Sequence, residues 1–306
     1  MPSWGLIHEL QMAGVQVIGI DSNPLSFGLC LLKKSYIVPN GDRPGFIRAI
    51  TEIIDKEAPR AIISGPEEEV LALAKNKNKL EKKGALLLCP DYQDVVICAD
   101  KKKTYNFLNR IGIPMPDIFS RPGLVKFPCV IKPRFGRGGS NIFIAKDKQN
   151  LRFYLRKVKE PLIQEFIQGE EYTVDILADK AGNALSVVPR LRLDVESGIS
   201  VKGKTVYDKE IVDYSKRIAK ELRLFGFSCI QCIRGKGGVK FIEINARFGG
   251  GSILSVKADL TIIPNLIKMI RGQRPTPAKG FKRNLVMLRY YSEAFIFEDE
   301  IKKTGQ

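Results

Sequence analysis

A single histidine, His8, stands in 306 residues. That excludes a histidine-rich metal centre, and a Ser-His-Asp triad would have to rest on His8 alone. No run of about 18 apolar residues occurs, so no transmembrane helix is expected. The opening, MPSWGLIHEL, lacks the basic region and apolar stretch of a secretory signal peptide. Cysteine is sparse too: six are scattered without the spacing of a secreted scaffold. Reduced thiols and a cytoplasmic protein are therefore expected. Cys229 and Cys232 form a lone CxxC with no second pair. In a strand they point to opposite faces, which argues against a zinc or redox role. No GxGxxG precedes Asp21, the acid ending VQVIGID (15–21), so a dinucleotide site there lacks its glycines.

Positive charge, by contrast, is plentiful. The formal net charge is +17, and 44% of the residues are hydrophobic. The apolar content suffices for about two or three lobes. The charge favours anionic partners. Yet the lysines are dispersed among glutamates, as in KNKNKLEKK (75–83), which describes a solvated surface. No nucleic-acid recognition module stands out, and no membrane partner is expected.

Residues 1–98 alternate strand and helix. VQVIGID, AIISG (61–65) and GALLLCP (84–90) read as strands, and 45–58 as a helix, which implies a parallel α/β layer. A helix over 99–112 and an extended PMP segment follow. FPCVIKPRFGRGGSNIFIA (127–145) reads as strand, glycine-rich turn, strand. After a helix at 147–158 come two short strands within 161–179, broken by QGEE, and a further strand at 185–195. An amphipathic helix spans 212–226. A hairpin follows over 227–247, turning at RGKGG. A helix at 262–272 and a tail strand near 284–291 close the chain.

The hairpin ends in FIEINARFGGG (241–251), where an apolar strand carries polar residues on one face. Folding about Gly235–Gly238 places Gln231 opposite Glu243, and opposite residues share a face. Gln231, Glu243 and Asn245 then cluster, with Arg247 one step along. These hard oxygen donors suit Mg²⁺, or Mn²⁺ in its place, completed by phosphate and water. The arginine suits a phosphoryl group. In KPRFGRGGS (132–140), Gly136, Gly138 and Gly139 let backbone N–H groups approach phosphate, and Lys132 precedes them. Glu165 and Glu171 in QEFIQGEEY (164–172) are spaced acids whose best use here is a nucleotide.

The succession PCVIKPRFGRGGS, IQEFIQGEEYTVD and CIQCIRGKGGVKFIEINARFGGG closely resembles the ATP-grasp superfamily. The nearest likeness is to the ATP-grasp units of carbamoyl phosphate synthase large subunits and related carboxylate–amine ligases. It spans about residues 99–275. It implies an α/β protein with the ATP-grasp fold, behind a Rossmann-like pre-ATP-grasp domain. That domain usually opens with a strand and glycine-rich turn. Here MPSWGLI already reads as the helix after them, so a domain lacking its first strand is expected. The boundaries implied are 1–98, a small lobe at 99–165, and a large lobe at 166–306.

The resemblance also implies roles. Lys101, or Lys103, and Lys132 contact ATP. Residues 136–140, ending in Ser140, cover the phosphates. Glu165, Phe166 and Ile167 form the hinge meeting adenine, and Glu171 holds the ribose. Gln231, Glu243 and Asn245 hold Mg²⁺, and Arg247 stabilises the transferring phosphoryl group. Gln231 stands where many relatives use an acid, which puts metal affinity in doubt. Lys202 and Lys204 in SVKGKT (200–205) are expected in a mobile loop near the γ-phosphate, with Lys202 catalytic. Arg190 and Arg192 are candidates for a substrate carboxylate, although an exposed charged strand explains them equally well.

The expected function is an ADP-forming ligase that joins a carboxylate to an amine through an acylphosphate. An ATP-binding protein or subunit without independent ligase activity is the alternative. The assembly is left open between monomer and homodimer.

Overall fold

The longest alternating runs of the sequence build one sheet. The computed structural model describes residues 4–136, 139, 141–290, 292–298 and 301. It pairs six strands in the order Gly238–Asn245, Gly226–Gly235, Gly169–Ala178, Ala184–Glu196, Ile199–Thr205 and Val286–Leu288. Every pairing in this sheet is antiparallel. In Gly169–Ala178, Tyr172, Val174, Ile176 and Ala178 join the main core. Thr173 and Asp175 fall on the other face, because successive strand residues alternate. Helix Lys209–Glu221 packs Ile211, Val212, Ile218 and Ala219 into that core. Their spacing keeps one stripe of the helix inward. Asp208 starts the helix by accepting the Ile211 backbone N–H at 3.1 Å.

Gly169 makes the close pairing of these strands possible. A Cβ there would lie 2.2 Å from the Arg234 backbone oxygen. Gly169→Ala is expected to cost about 1–3 kcal/mol, as at other overpacked positions. The readout is the thermal unfolding midpoint, and an unchanged midpoint contradicts the close approach.

A second antiparallel sheet has the order Ile118–Phe119, Pro161–Glu165, Cys129–Pro133, Phe143–Ala145. Leu151 of helix Lys148–Lys157 joins Cys129, Ile131, Ala145 and Ile163 in a separate small core. The hairpin at its edge is the glycine-rich one read from the sequence, although Gly138 and Ser140 lie outside the described residues.

The N-terminal part contains the parallel pairs Ile18–Asp21 with Lys34–Ile37 and Ala61–Ile62 with Leu86–Leu87. Lys34–Ile37 was not legible as a strand, because KSYI has no apolar run. Leu6 and Leu88 pack with Leu177, Phe227 and Leu266, so this part shares a core with the large sheet. The helix expected over 99–112 is Lys101–Arg110, preceded by a separate helix, Tyr92–Ala99. Asp100 breaks them with extended backbone and accepts the Lys102 N–H at 3.0 Å.

The SVKGKT segment is a correction: it lies in strand Ile199–Thr205, not in a loop. Ser197 and Gly198, with φ of 48° and 77°, turn the chain back beside Ala184–Glu196. Pairing with Val286–Leu288 occupies the other edge. Among the described residues, no helix is long and apolar enough to cross a membrane. All six cysteines are free. Burial pushes the Cys229 thiol up to about 11 and the Cys232 thiol higher still. Buried neutral thiols of this kind are poor nucleophiles.

Candidate active site

The hairpin Gly226–Gly235 with Gly238–Asn245 sets the geometry. Its register pairs Gln231 with Glu243 and Cys229 with Asn245, so all three oxygen donors face one side. Arg247 follows, its Nη2 donating to Asn245 Oδ1 at 3.2 Å and its Nη1 to the Phe248 carbonyl at 3.3 Å. Its Nε is buried without a hydrogen-bond partner among the described residues.

The register jumps between Gln231 and Cys232, whose partners are Glu243 and Phe241. Ile242 is therefore a bulge residue, and bulges release backbone groups from the ladder. The Ile242 carbonyl accepts from Lys132 Nζ at 3.3 Å and lies 3.1 Å from the Tyr105 hydroxyl. Lys132 also donates to Tyr105 Oη at 2.7 Å, and that hydroxyl donates to Gln164 Oε1 at 2.7 Å. A buried polar chain thus ties the small sheet to the hairpin. Burial pulls the Lys132 ammonium down to about 8, opposed by the Glu243 carboxylate, with Lys101 adding to the fall.

Lys101 is the inward lysine of its cluster, whereas Lys103 is exposed. Its Nζ donates to the Gly136 carbonyl at 2.7 Å, at the start of the glycine turn. Gly136 and Gly139 hold φ of 116° and 71°, backbone that favours glycine. Arg134 pins this hairpin to Asp100 through contacts of 2.8 and 2.6 Å. That hydrogen bonding holds the Asp100 carboxyl below the usual carboxylate range.

Glu165, Phe166 and Ile167 are half-buried and connect strand Pro161–Glu165 to strand Gly169–Ala178. Glu165 accepts from Lys240 Nζ at 2.9 Å and from the Asp117 N–H at 3.1 Å. Glu171 accepts from Arg192 Nη1 at 2.5 Å, and Arg192 Nη2 donates to the Gly198 carbonyl. Lys101, Lys132, Glu171 and Glu243 lie close enough for Lys132 to feel the charges of the other three. Lys202 stands apart: its Nζ donates to Asp194 at 3.0 Å with its side chain about half exposed. That placement gives its expected catalytic role no support.

Two functional candidates were missed. Glu67 opens helix Glu67–Lys75 and lines the same cleft as Asn245 and Arg247. Burial raises its carboxyl above the usual range, and Lys101 and Arg247 oppose the rise. In the sequence, GPEEE reads only as acids at a helix start, where the dipole favours them. The other is Arg289, whose Nη2 donates to the Gly250 carbonyl. Nothing in its local sequence signals that contact.

The donor chemistry limits the metal these residues suit. Among the described residues, no group of three or more His, Cys, Asp or Glu side chains is placed to hold an ion. Glu243 offers one carboxylate, and Gln231 and Asn245 offer neutral amide oxygens. Such a set does not cage a cation alone. It fits Mg²⁺, which takes few protein oxygens and fills its shell with phosphate and water.

Comparison with known proteins agrees with this architecture. The family model of the ATP-grasp domain matches residues 98–251, and that of the PylC-like N-terminal domain matches residues 6–88. The carbamoyl-phosphate synthase of Methanobrevibacter smithii is 30% identical over 173 residues, covering 54% of this chain and 46% of the relative. The carbamoyl phosphate synthase large chain of Clostridium beijerinckii is 27% identical over 267 residues, covering 79% of this chain and 24% of the relative. The chain thus spans between about a quarter and a half of these relatives' length. Among solved structures, the biotin carboxylase domain of the Hydrogenobacter thermophilus 2-oxoglutarate carboxylase superposes with a TM-score of 0.72 at 18% identity. It covers 92% of this chain and 70% of that one. That structure is a dimer in complex with MgADP, ADP and bicarbonate. With half of its residues matched by the family's model, this chain belongs to the ATP-grasp family.

Proposed function

We propose that this protein is an ATP- and Mg²⁺-dependent ligase that activates a carboxylate as an acylphosphate for attack by an amine or similar nucleophile. One observation carries the reading. Gln231 and Glu243 face each other across a hairpin beside Arg247, while Lys132 approaches from the glycine-rich hairpin and Lys101 from the helix start that abuts it. That pattern matches a polyphosphate held between cations and a metal-competent carboxylate.

In this reading Lys101, Lys132 and the turn at Gly136 and Gly139 bind the phosphates. Backbone at Glu165–Ile167 meets adenine, and Glu171 meets the ribose. Gln231, Glu243 and Asn245 would hold Mg²⁺, which supplies charge neutralisation on the phosphates when bound. A substrate carboxylate oxygen attacks the γ-phosphorus, the bond to the ADP oxygen breaks, and an acylphosphate forms. The nucleophile then attacks the acyl carbon, expels phosphate and loses a proton. Arg247 stabilises charge on the transferring phosphoryl group. Positioning and electrostatics supply the catalysis, with no covalent enzyme intermediate.

Lys132 carries a pH prediction. Its folded value, about 8, lies below the ordinary lysine value of 10.5. Between the two, the unfolded chain holds a proton that the folded chain has lost, so ligand-free stability rises with pH across that window. Binding runs the other way. A triphosphate favours the ammonium, so MgATP affinity falls as pH rises above about 8. Binding there takes up a proton. Calorimetry in buffers of different ionisation enthalpy should show that uptake in the native protein and not in Lys132→Met. Equal uptake by the variant contradicts the assignment.

The second reading is an ATP-binding protein or subunit without ligase activity of its own. One experiment separates the two. ADP release is followed with Mg²⁺–ATP and an amino-acid panel, with mass detection of conjugates and a parallel nucleotide-binding assay. Ligation predicts acceptor-stimulated ADP and a conjugate mass. Binding without release supports the second reading, and no binding contradicts both.

A further inference from the structure

The arginines of the large sheet differ in how their charge is matched. Arg190 is 2% exposed, and its Nε and Nη2 donate to Asp175 Oδ2 and Oδ1 at 2.5 and 3.1 Å. The hydroxyls of Ser252 and Ser255 donate to the same carboxylate at 2.7 and 2.5 Å. Arg192 is engaged by Glu171, and Arg234 by Asp208 and Glu210. Arg247 has only neutral acceptors, the Asn245 amide oxygen and the Phe248 carbonyl, at 3.2 and 3.3 Å. Those contacts are long for a guanidinium, whose charge-assisted bonds run near about 2.7–2.9 Å. Its Nε, buried, has no hydrogen-bond partner among the described residues. The cation assigned to the phosphoryl group is thus the one held most loosely.

A carboxyl group reaches the same place from the N-terminal part of the chain. Glu67 opens helix Glu67–Lys75 and lines one cavity with Asn245 and Arg247. Packing fixes that helix start. Val70, on the next turn, shares a core with Val95, Ile244 and Ala246. Gly41 passes so close that a Cβ there would lie 2.5 Å from the Glu69 backbone nitrogen. Among the described residues Glu67 makes no hydrogen bond or ion pair. Burial raises its carboxyl, and the charges of Lys101 and Arg247 oppose the rise, so the guanidinium is felt there. The other charges nearby have other uses: Lys101 donates to the Gly136 carbonyl, and Glu243 is the carboxylate left to the metal. At the scale of a water the cavity is about 10 Å³, room for about one molecule to bridge the two side chains. An unengaged carboxyl and an unfilled guanidinium nitrogen therefore meet where the two parts of the chain join.

We propose that Glu67 is a positioning residue, which orients the Arg247 guanidinium across this cavity for the phosphoryl step. This rests on the ligase reading, in which Arg247 meets the transferring phosphoryl group. Glu67 touches neither nucleotide nor substrate in this role. It engages Nε, which fixes the plane of the guanidinium and leaves Nη1 and Nη2 aimed before ATP arrives. The residues given to nucleotide and metal run from Lys101 to Asn245, so this contact brings the N-terminal part of the chain into the reaction.

The test uses the full chain. Glu67→Gln, Glu67→Asp, Arg247→Lys and the double variant of Glu67→Gln with Arg247→Lys are compared in acceptor-stimulated ADP release, with MgATP affinity measured by calorimetry. Glu68→Gln is the control, since it removes the same charge from the same helix start outside the cavity. The expected result is turnover ~10-fold or more lower in Glu67→Gln, as for loss of a charged hydrogen bond, with MgATP bound no more weakly. Glu67→Asp recovers part of the loss, and Glu68→Gln stays near native. In the Arg247→Lys background Glu67→Gln costs nothing further, because the group it orients is already gone. Urea unfolding of the same variants without nucleotide reads the pair independently of activity. The unfolding constant of the double variant should depart ~3-fold or more from the product of the two single effects. Native turnover in Glu67→Gln, an equal loss in Glu68→Gln, or losses that multiply in the double variant overturn the proposal. Unfolding effects that multiply overturn it as well. No ADP release by the native protein with any acceptor refutes the ligase reading instead, and the unfolding cycle still decides the pair.

Discussion

Glu243→Ala lowers acceptor-dependent turnover by at least about 100-fold, the loss that follows removal of a key electrostatic group. Glu243 is the one carboxylate in its donor set, because Gln231 and Asn245 are neutral amides. Its charge reaches Lys132, Tyr105 and Glu67. Without it, a metal at this hairpin keeps only amide oxygens, and Lys132 loses the largest influence that opposes its burial. Glu243→Gln keeps an oxygen in place and removes the charge, so it should lie near the alanine variant in turnover. Steady-state ADP release is the measurement. Near-native turnover in Glu243→Ala contradicts the assignment of this hairpin.

Asp175→Ala destabilises the protein by about 3–5 kcal/mol, the range for stripping the partner from a buried ion. Arg190 would keep its charge at 2% exposure with nothing to balance it. The hydroxyls of Ser252 and Ser255 would lose their acceptor at the same time. The contrast is the double variant Asp175→Leu with Arg190→Met, which removes both charges and should recover most of the loss. Urea unfolding of the single and double variants reads both numbers. A single variant within about 1 kcal/mol of native, the effect of an ordinary substitution, contradicts this network.

Local patterns carried much of this site into the sequence. Alternation along FIEIN and the glycines at 235–238 were enough to oppose Gln231 and Glu243. The glycine-rich hairpin was legible from KPRFGRGGS for the same reason: strand period and turn residues are neighbours in the chain. What escaped depends on distant partners. The Ile242 bulge makes sense only with Lys132 and Tyr105, 110 and 137 residues away. Arg190 read equally as a substrate-carboxylate arginine or an exposed strand charge, and its burial against Asp175 was hidden because that partner lies on the adjacent strand. Arg289 touches Gly250 across 39 residues. SVKGKT looked like a loop because lysine and glycine are weak strand formers. Pairing on both edges overrides that preference.

The account stands or falls on a crystal structure of the protein grown with Mg²⁺ and a non-hydrolysable ATP analogue. It predicts the triphosphate between the ammonium groups of Lys101 and Lys132 and the hairpin of Gln231 and Glu243, with the metal on Glu243 and adenine at Glu165–Ile167. Nucleotide bound elsewhere at saturation, or Gln231, Glu243 and Arg247 turned away from the phosphates, would contradict it.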